Sequence, residues 1–200
     1  MLGVMPMAEG PHLDLLLDAI AAERRGHLAL LASDAAAPEA MREAARLYRA
    51  SWQVAPPASY GRLIGALKAA IIAGDAHEDA AWVAGQIPQD ATSAPASYAT
   101  AIAALVQGDD DAARAAATRM REGSPAFVRA AAAIEALVER DAPAYTAAIQ
   151  AIVSDFEGRE DHLTGVPIAD TALMLERLAP ARGLGAGPQS PVMPPAASAT

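Results

Sequence analysis

Cysteine is absent from the chain, which removes disulfides, thiol nucleophiles and cysteine–zinc sites together. Aromatic residues make up only 4% of it, so any core must be built from Leu, Ile, Val and Ala. There is a single lysine, Lys68, among fifteen basic residues. The excess of acids gives a formal net charge of −9. A phosphate-binding protein needs a clustered basic stripe. Here the arginines are scattered among carboxylates, so nucleic acid is not an expected partner and a basic protein is. No apolar run approaches the roughly 18 residues that suggest a membrane span. Met1-Leu2-Gly3-Val4-Met5-Pro6-Met7 carries no basic residue, and Asp14 and Asp18 interrupt the apolar patch from Leu13 to Ile20. The reading is therefore a chain with neither signal peptide nor membrane segment, placed in the cytoplasm.

What the chain has in abundance is alanine, 54 residues of 200. Alanine loses no side-chain entropy on entering a helix, so the composition predicts an all-α fold without strands. Small faces also let helix axes approach to the near end of the usual ~8–10 Å range. Two hundred residues suffice for one domain that buries about 70% of its unfolded surface.

A short phrase recurs through this background. It reads Ala70-Ile71-Ile72-Ala73-Gly74-Asp75, then Ala104-Leu105-Val106-Gln107-Gly108-Asp109, then Ala136-Leu137-Val138-Glu139-Arg140-Asp141, with a looser copy at Ala29-Leu30-Leu31-Ala32-Ser33-Asp34. The aspartates of the first three copies lie 34 and 32 residues apart. That is the period of a helix-hairpin array. Each phrase joins an apolar helix end to a residue that leaves the helix at positive φ and then to an aspartate expected to cap the next helix. The prediction is a tetratricopeptide-like α-solenoid of stacked antiparallel hairpins over residues 11–184, closed by a final capping helix that begins near Pro167. Residues 1–10 are expected to be flexible. So is the Pro/Ala/Gly-rich tail 185–200, whose composition offers few anchors to offset its ordering entropy. Trp52 and Trp82 fall where neighbouring hairpins should meet.

No catalytic signature accompanies this framework. There is no Gly-x-Ser-x-Gly elbow, no paired histidines at i, i+4 and no glycine-rich phosphate loop. Gly183-Leu184-Gly185-Ala186-Gly187 follows a helix and precedes the tail, an order that reads as a linker. His12 and His27 lie on or beside the apolar face of the first helix, where hydrogen-bonded core histidines are commoner than general bases. His77-Glu78-Asp79 and Glu160-Asp161-His162 read as solvated turns rather than metal sites. No cofactor or metal is expected. The residues with a candidate role are the acids themselves: Glu78, Asp79, Asp109, Asp110, Asp111, Glu160 and Asp161, which together would make an acidic surface for a protein partner.

The carboxy-terminal two-thirds, residues 60–195, resembles the immunity protein 49 family of bacterial polymorphic-toxin systems. The likeness is carried by the Tyr98-to-Asp109 helix with its Gly-Asp ending and by the Ala136-to-Asp141 joint followed by Tyr145. It continues through the acidic stretch Glu157 to His162 and an ending that runs Gly165-Val166-Pro167, Leu178-Ala179, Arg182-Gly183-Leu184, Ser190 and Pro194. The family's ending reads more like Ser-x-Tyr-Leu-Pro, where this chain has Ser190-Pro191-Val192-Met193-Pro194. The resemblance implies a non-enzymatic, all-helical protein that binds and neutralises a cognate toxin, here a basic one. The alternative is a tetratricopeptide-like scaffold that presents a groove to a peptide or regulatory partner.

Overall fold

The computed structural model describes residues 10–195; the expectation for residues 1–9 and for the last five residues of the tail lies outside them. Among the described residues the fold is all-α, with helices α1 Pro11–Leu31, α2 Ala37–Gln53, α3 Gly61–Ala73, α4 His77–Gln86, α5 Ala94–Gln107, α6 Asp110–Met120, α7 Pro125–Glu139, α8 Ala142–Glu157 and α9 Asp170–Leu178, then a 3-10 turn at Ala179–Arg182. Each of α1 to α8 packs on the next, and α3, α5 and α7 also lie side by side in one layer. The small-residue stripes explain the close approach. Gly26 faces Met41, and Gly65 lies so close to the Tyr48 ring that a Cβ there would come within 2.8 Å of it. Trp52 stacks on Tyr60 at 5.8 Å and donates to Gln86, and the Arg49 guanidinium lies 4.5 Å from the centre of the Trp82 ring. Both indoles thus sit where α2 meets its neighbours.

All four copies of the repeated phrase close in the same way. The aspartate amide donates to the alanine carbonyl that opens the phrase: Asp34 to Ala29 at 2.8 Å, Asp75 to Ala70 at 3.3 Å, Asp109 to Ala104 at 2.9 Å and Asp141 to Ala136 at 3.0 Å. The residue before it donates to the second carbonyl, and this paired pattern satisfies the orphan acceptors of a helix end. It requires positive φ in between, found at Ser33 (53°), Gly74 (97°), Gly108 (78°) and Arg140 (56°). A fifth instance ends the 3-10 turn at Gly183 (72°), where the Leu184 amide reaches the Ala179 carbonyl.

The aspartates then diverge. Asp109 and Asp141 cap α6 and α8 through the amides of Ala112 and Ala144. Asp75 caps nothing: α4 starts one residue later than the phrase requires, with Ala76 at its N-cap. Asp34 bonds the Ala36 amide in a local turn instead.

The end of the chain departs most from expectation. α9 begins at Asp170 rather than at Pro167, because Val166 and Ile168 are buried anchors on a tight turn in which the Ile168 amide donates to the Val166 carbonyl at 2.9 Å. It does not simply cap the last hairpin. It packs on α3 as well as on α7 and α8, and so crosses the layer of odd-numbered helices. The tail is not free as far as Pro195 either. Val192 and Met193 are buried, the Val192 carbonyl accepts from the Ala169 amide at 2.7 Å, and Ser190 bonds Glu157. The presumed linker is held by the Glu176 carboxylate, which accepts from the amides of Ala186 and Gly187. Two apolar anchors and one carboxylate clamp suffice where composition showed only proline and alanine.

A left-handed residue other than glycine carries a backbone penalty of ~1–2 kcal/mol. Arg140→Gly should therefore raise stability by about 1 kcal/mol in urea unfolding, since its exposed contact with Asp110 contributes little. Gly108→Ala should lower stability by a similar amount, because open space around a Cβ there leaves only the backbone cost. Shifts of the same sign in both variants would contradict this reading of the joints.

Candidate functional site

The crossing of α9 over the odd helices brings together polar groups that are far apart in sequence. Lys68 on α3 reaches Asp170 at 2.5 Å and donates to Thr171 at 3.1 Å. On α1, Glu23 accepts from the Tyr48 hydroxyl at 2.7 Å, and His27 Nδ1 lies 3.1 Å from Thr164 Oγ1. Arg24 donates to the Thr164 carbonyl at 2.7 Å. Glu23, His27, Lys68, Thr164, Asp170 and Thr171 border a half-enclosed cavity of about 230 Å³ that Phe156, Arg159, His162 and Leu163 also line. Arg159 lies over the Phe156 ring and is bound by Asp155, so its charge is already spent.

The electrostatics of the cluster follow from burial. Glu23 is 3% exposed and His27 1%. Desolvation pushes Glu23 from its usual 4.5 to about 7, and the nearby Asp170 charge adds to this. Desolvation pulls His27 from 6.5 to about 4. Burial also opposes the charges of Lys68 and Asp170, but each holds the other ionised: the lysine ends above its ordinary range and the aspartate below.

Between about pH 4 and pH 7 the proton therefore resides on Glu23 and not on His27. Their 3.8 Å approach is not an ion pair near neutral pH. A Thr164–His27–Glu23 row resembles a hydrolytic triad in order only. An imidazole with so low a proton affinity is a poor general base for the threonine hydroxyl. What the arrangement does is fasten the chain end: α1 and α3 hold Thr164, Asp170 and Thr171. Sequence reasoning singled out Lys68 as the only lysine but gave it no role, and it missed Glu23, Asp170 and Thr164. The signal was a single cation in the apolar run from Leu63 to Ala73, with no acid in the same helix.

The acids chosen from the sequence are not one surface. Asp109, Asp110 and Asp111 lie at the α5–α6 joint. Glu78 begins α4 beside His77, which shares a groove with Leu105 and Arg182. Arg140 of the α7–α8 joint approaches Asp110 at 3.6 Å, so these joints form one edge. Glu160 and Asp161 follow α8, a helix of 16 residues and hence ~24 Å long, and so lie away from the joint that starts it. Nor are all the acids available. Asp110 receives the Arg182 guanidinium at 2.6 Å, and Asp79 receives Arg49 at 2.8 Å. Asp109 gives one oxygen to its cap, and the exposed Asp111 pairs with a half-buried Arg114. Glu78, Glu160 and Asp161 have no ion-pair partner among the described residues.

No group of three or more potential metal ligands occurs among the described residues, and no helix there is long and apolar enough to cross a membrane. No protein-family model matches the chain, and neither a curated protein nor a solved structure matches it. The likeness to the immunity protein 49 family rests on the residues quoted for it.

The buried pair predicts an unusual pH response. A depressed histidine contributes stability that is present above pH 6.5 and lost as pH falls towards about 4. A raised carboxyl works oppositely, its contribution falling as pH rises from 4.5 to about 7. Between about pH 4.5 and 6.5 the two cancel, since folding moves one proton from His27 to Glu23. Glu23→Gln should remove the cancellation, so that its unfolding free energy climbs with pH by up to about 1.4 kcal/mol per unit more than wild type. Parallel pH profiles of the two proteins would contradict the assignment.

Proposed function

We propose that the chain is a non-enzymatic immunity protein that docks on a basic toxin domain and blocks it sterically, with the acidic joint edge steering the encounter. The observation that carries the reading is the occupied inner face. A tetratricopeptide-like scaffold takes its peptide in the groove lined by the first helices of its hairpins, and here α9 and the segment from Thr164 onward fill that position. Recognition is left to the outer surface. There the joints present Glu78, Asp109 and Asp111 on one edge, while Asp110 is committed to Arg182. The buried polar cluster supports the same reading, because Lys68 and Asp170, and Glu23 and Tyr48, are spent on each other, and Thr164 is spent on fastening the chain end. Such a protein needs no cofactor and works by the shape and charge of its surface.

Charge complementarity acts mainly on association rate and is screened by salt. Glu78→Lys with Asp111→Lys should slow capture of the toxin encoded beside this protein several-fold at low ionic strength, with little change in dissociation. High salt should bring wild type close to the variant. Melting should be unchanged, which separates this pair from Asp110→Lys, where the Arg182 contact would be lost. Identical association of the two proteins at both ionic strengths would remove this edge from the interface. A wild type that binds no such toxin would overturn the reading.

A further inference from the structure

The first helix carries a second surface that the described residues leave uncovered. Among the described residues α1 packs on α2 and touches the chain end through Arg24 and His27, and no other described helix packs closely on its opposite side. Terminal repeats of solenoids ordinarily turn a polar face outward. Here two of the most exposed large apolar side chains of the described residues, Leu17 at 64% and Leu28 at 49%, stand on that face. The groove between α1 and α2 beside Leu28 is lined by alanines together with Arg25, Asp34, Glu39 and Glu43.

The exposed stripe of α1 reads Asp14, Leu17, Asp18, Ala21, Arg24, Arg25, Leu28. Its spacings are the same in either direction from Ala21. Its charges are not: both acids lie on the amino-terminal side and both bases on the other. Turned end for end about Ala21, the stripe sets Asp18 against Arg24 and places Asp14 within reach of Arg25. A parallel alignment would oppose acid to acid and base to base. We infer that this face is a homodimer interface in which α1 packs antiparallel on α1 of a second copy.

The charge arithmetic favours a second copy over other occupants. Two acids and two bases leave the stripe neutral, so it does not select a basic partner as the joint edge does. Asp14 and Asp18 have no ion-pair partner among the described residues, Arg25 meets Glu43 only in an exposed contact, and the exposed Arg24 gives one guanidinium nitrogen to the Thr164 carbonyl and keeps the others for a carboxylate. Ala21 at the centre adds no bulk beyond its Cβ, which allows the two axes to come near the ~8 Å lower limit. Leu17 and Leu28 then lie on either side of the crossing, and the antiparallel arrangement also opposes the two helix dipoles favourably.

Sedimentation velocity of the full chain over a concentration series tests this. The wild type should show a monomer–dimer equilibrium. Leu17→Glu and Asp18→Arg, both at solvent-exposed positions, should each weaken it by at least about tenfold without altering the helical melt. The absence of native cysteine gives a direct test of orientation. Ala21→Cys should form a disulfide-linked dimer under mild oxidation much faster than Ala115→Cys on the exposed side of α6. A wild type that stays monomeric at every concentration overturns the proposal, as does a dimer indifferent to Leu17→Glu and Asp18→Arg. Crosslinking of Ala21→Cys no faster than the control does so too.

Discussion

One ion pair organises this molecule. Lys68 is the only lysine in the chain, set in α3 among Leu67, Ala69 and Ala70, which are buried. A desolvated ammonium is costly without a partner, and removing one member of such a pair leaves the other uncompensated. Asp170 supplies the partner at 2.5 Å as the first residue of α9, and satisfying Lys68 therefore fixes where the last helix starts. From that point the rest of the chain end follows: Thr171 is brought to the lysine, Ala169 to Val192, and Glu176 to the amides of Ala186 and Gly187. Arg182 reaches back to Asp110 and the Leu105 carbonyl. The chain end thus ties the first, middle and last hairpins together, where a bare solenoid couples only neighbours.

The functional reading depends on that closure. With the inner face occupied by the chain's own residues, the proposed reading leaves recognition to the joint edge and to the outer face of α1, and these differ in chemistry. The edge is acidic because aspartate both completes the helix-ending pattern and, at Asp109 and Asp141, begins the next helix. Structural demand and surface charge are therefore the same residues. This is why an acidic edge alone specifies no partner, and why the proposal rests on the exposed Glu78 and Asp111 rather than on the committed Asp110.

The local parts of this architecture were legible in the sequence and the distant ones were not. The repeated phrase announced all four joints. Proline and glycine positions marked the helix ends to within a few residues. These signals act over a single turn of chain, so a linear reading captures them. Asp75 shows the limit, since its backbone completes the joint while a one-residue delay in α4 removes it from the cap position. The tail was misjudged for a related reason. Composition counts anchors, but Val192 and Met193 dock because α9 has already placed the Ala169 amide opposite the Val192 carbonyl. Glu23, His27 and Thr164 form a cluster only once α1 and the chain end are side by side, and no spacing in the sequence encodes that.

The account stands on the claim that Lys68 and Asp170 fasten the chain end across the inner face of the array. Native-state hydrogen exchange of wild type and Lys68→Met measures this directly. In wild type the amides of α9 should be protected to nearly the same degree as those of α5 and α7. In the variant, protection of α9 and of the Ala169 amide should fall well below that of α5 and α7, which remain packed on their own neighbours. Weakly protected α9 amides in wild type, or a uniform loss across all helices in the variant, would contradict it.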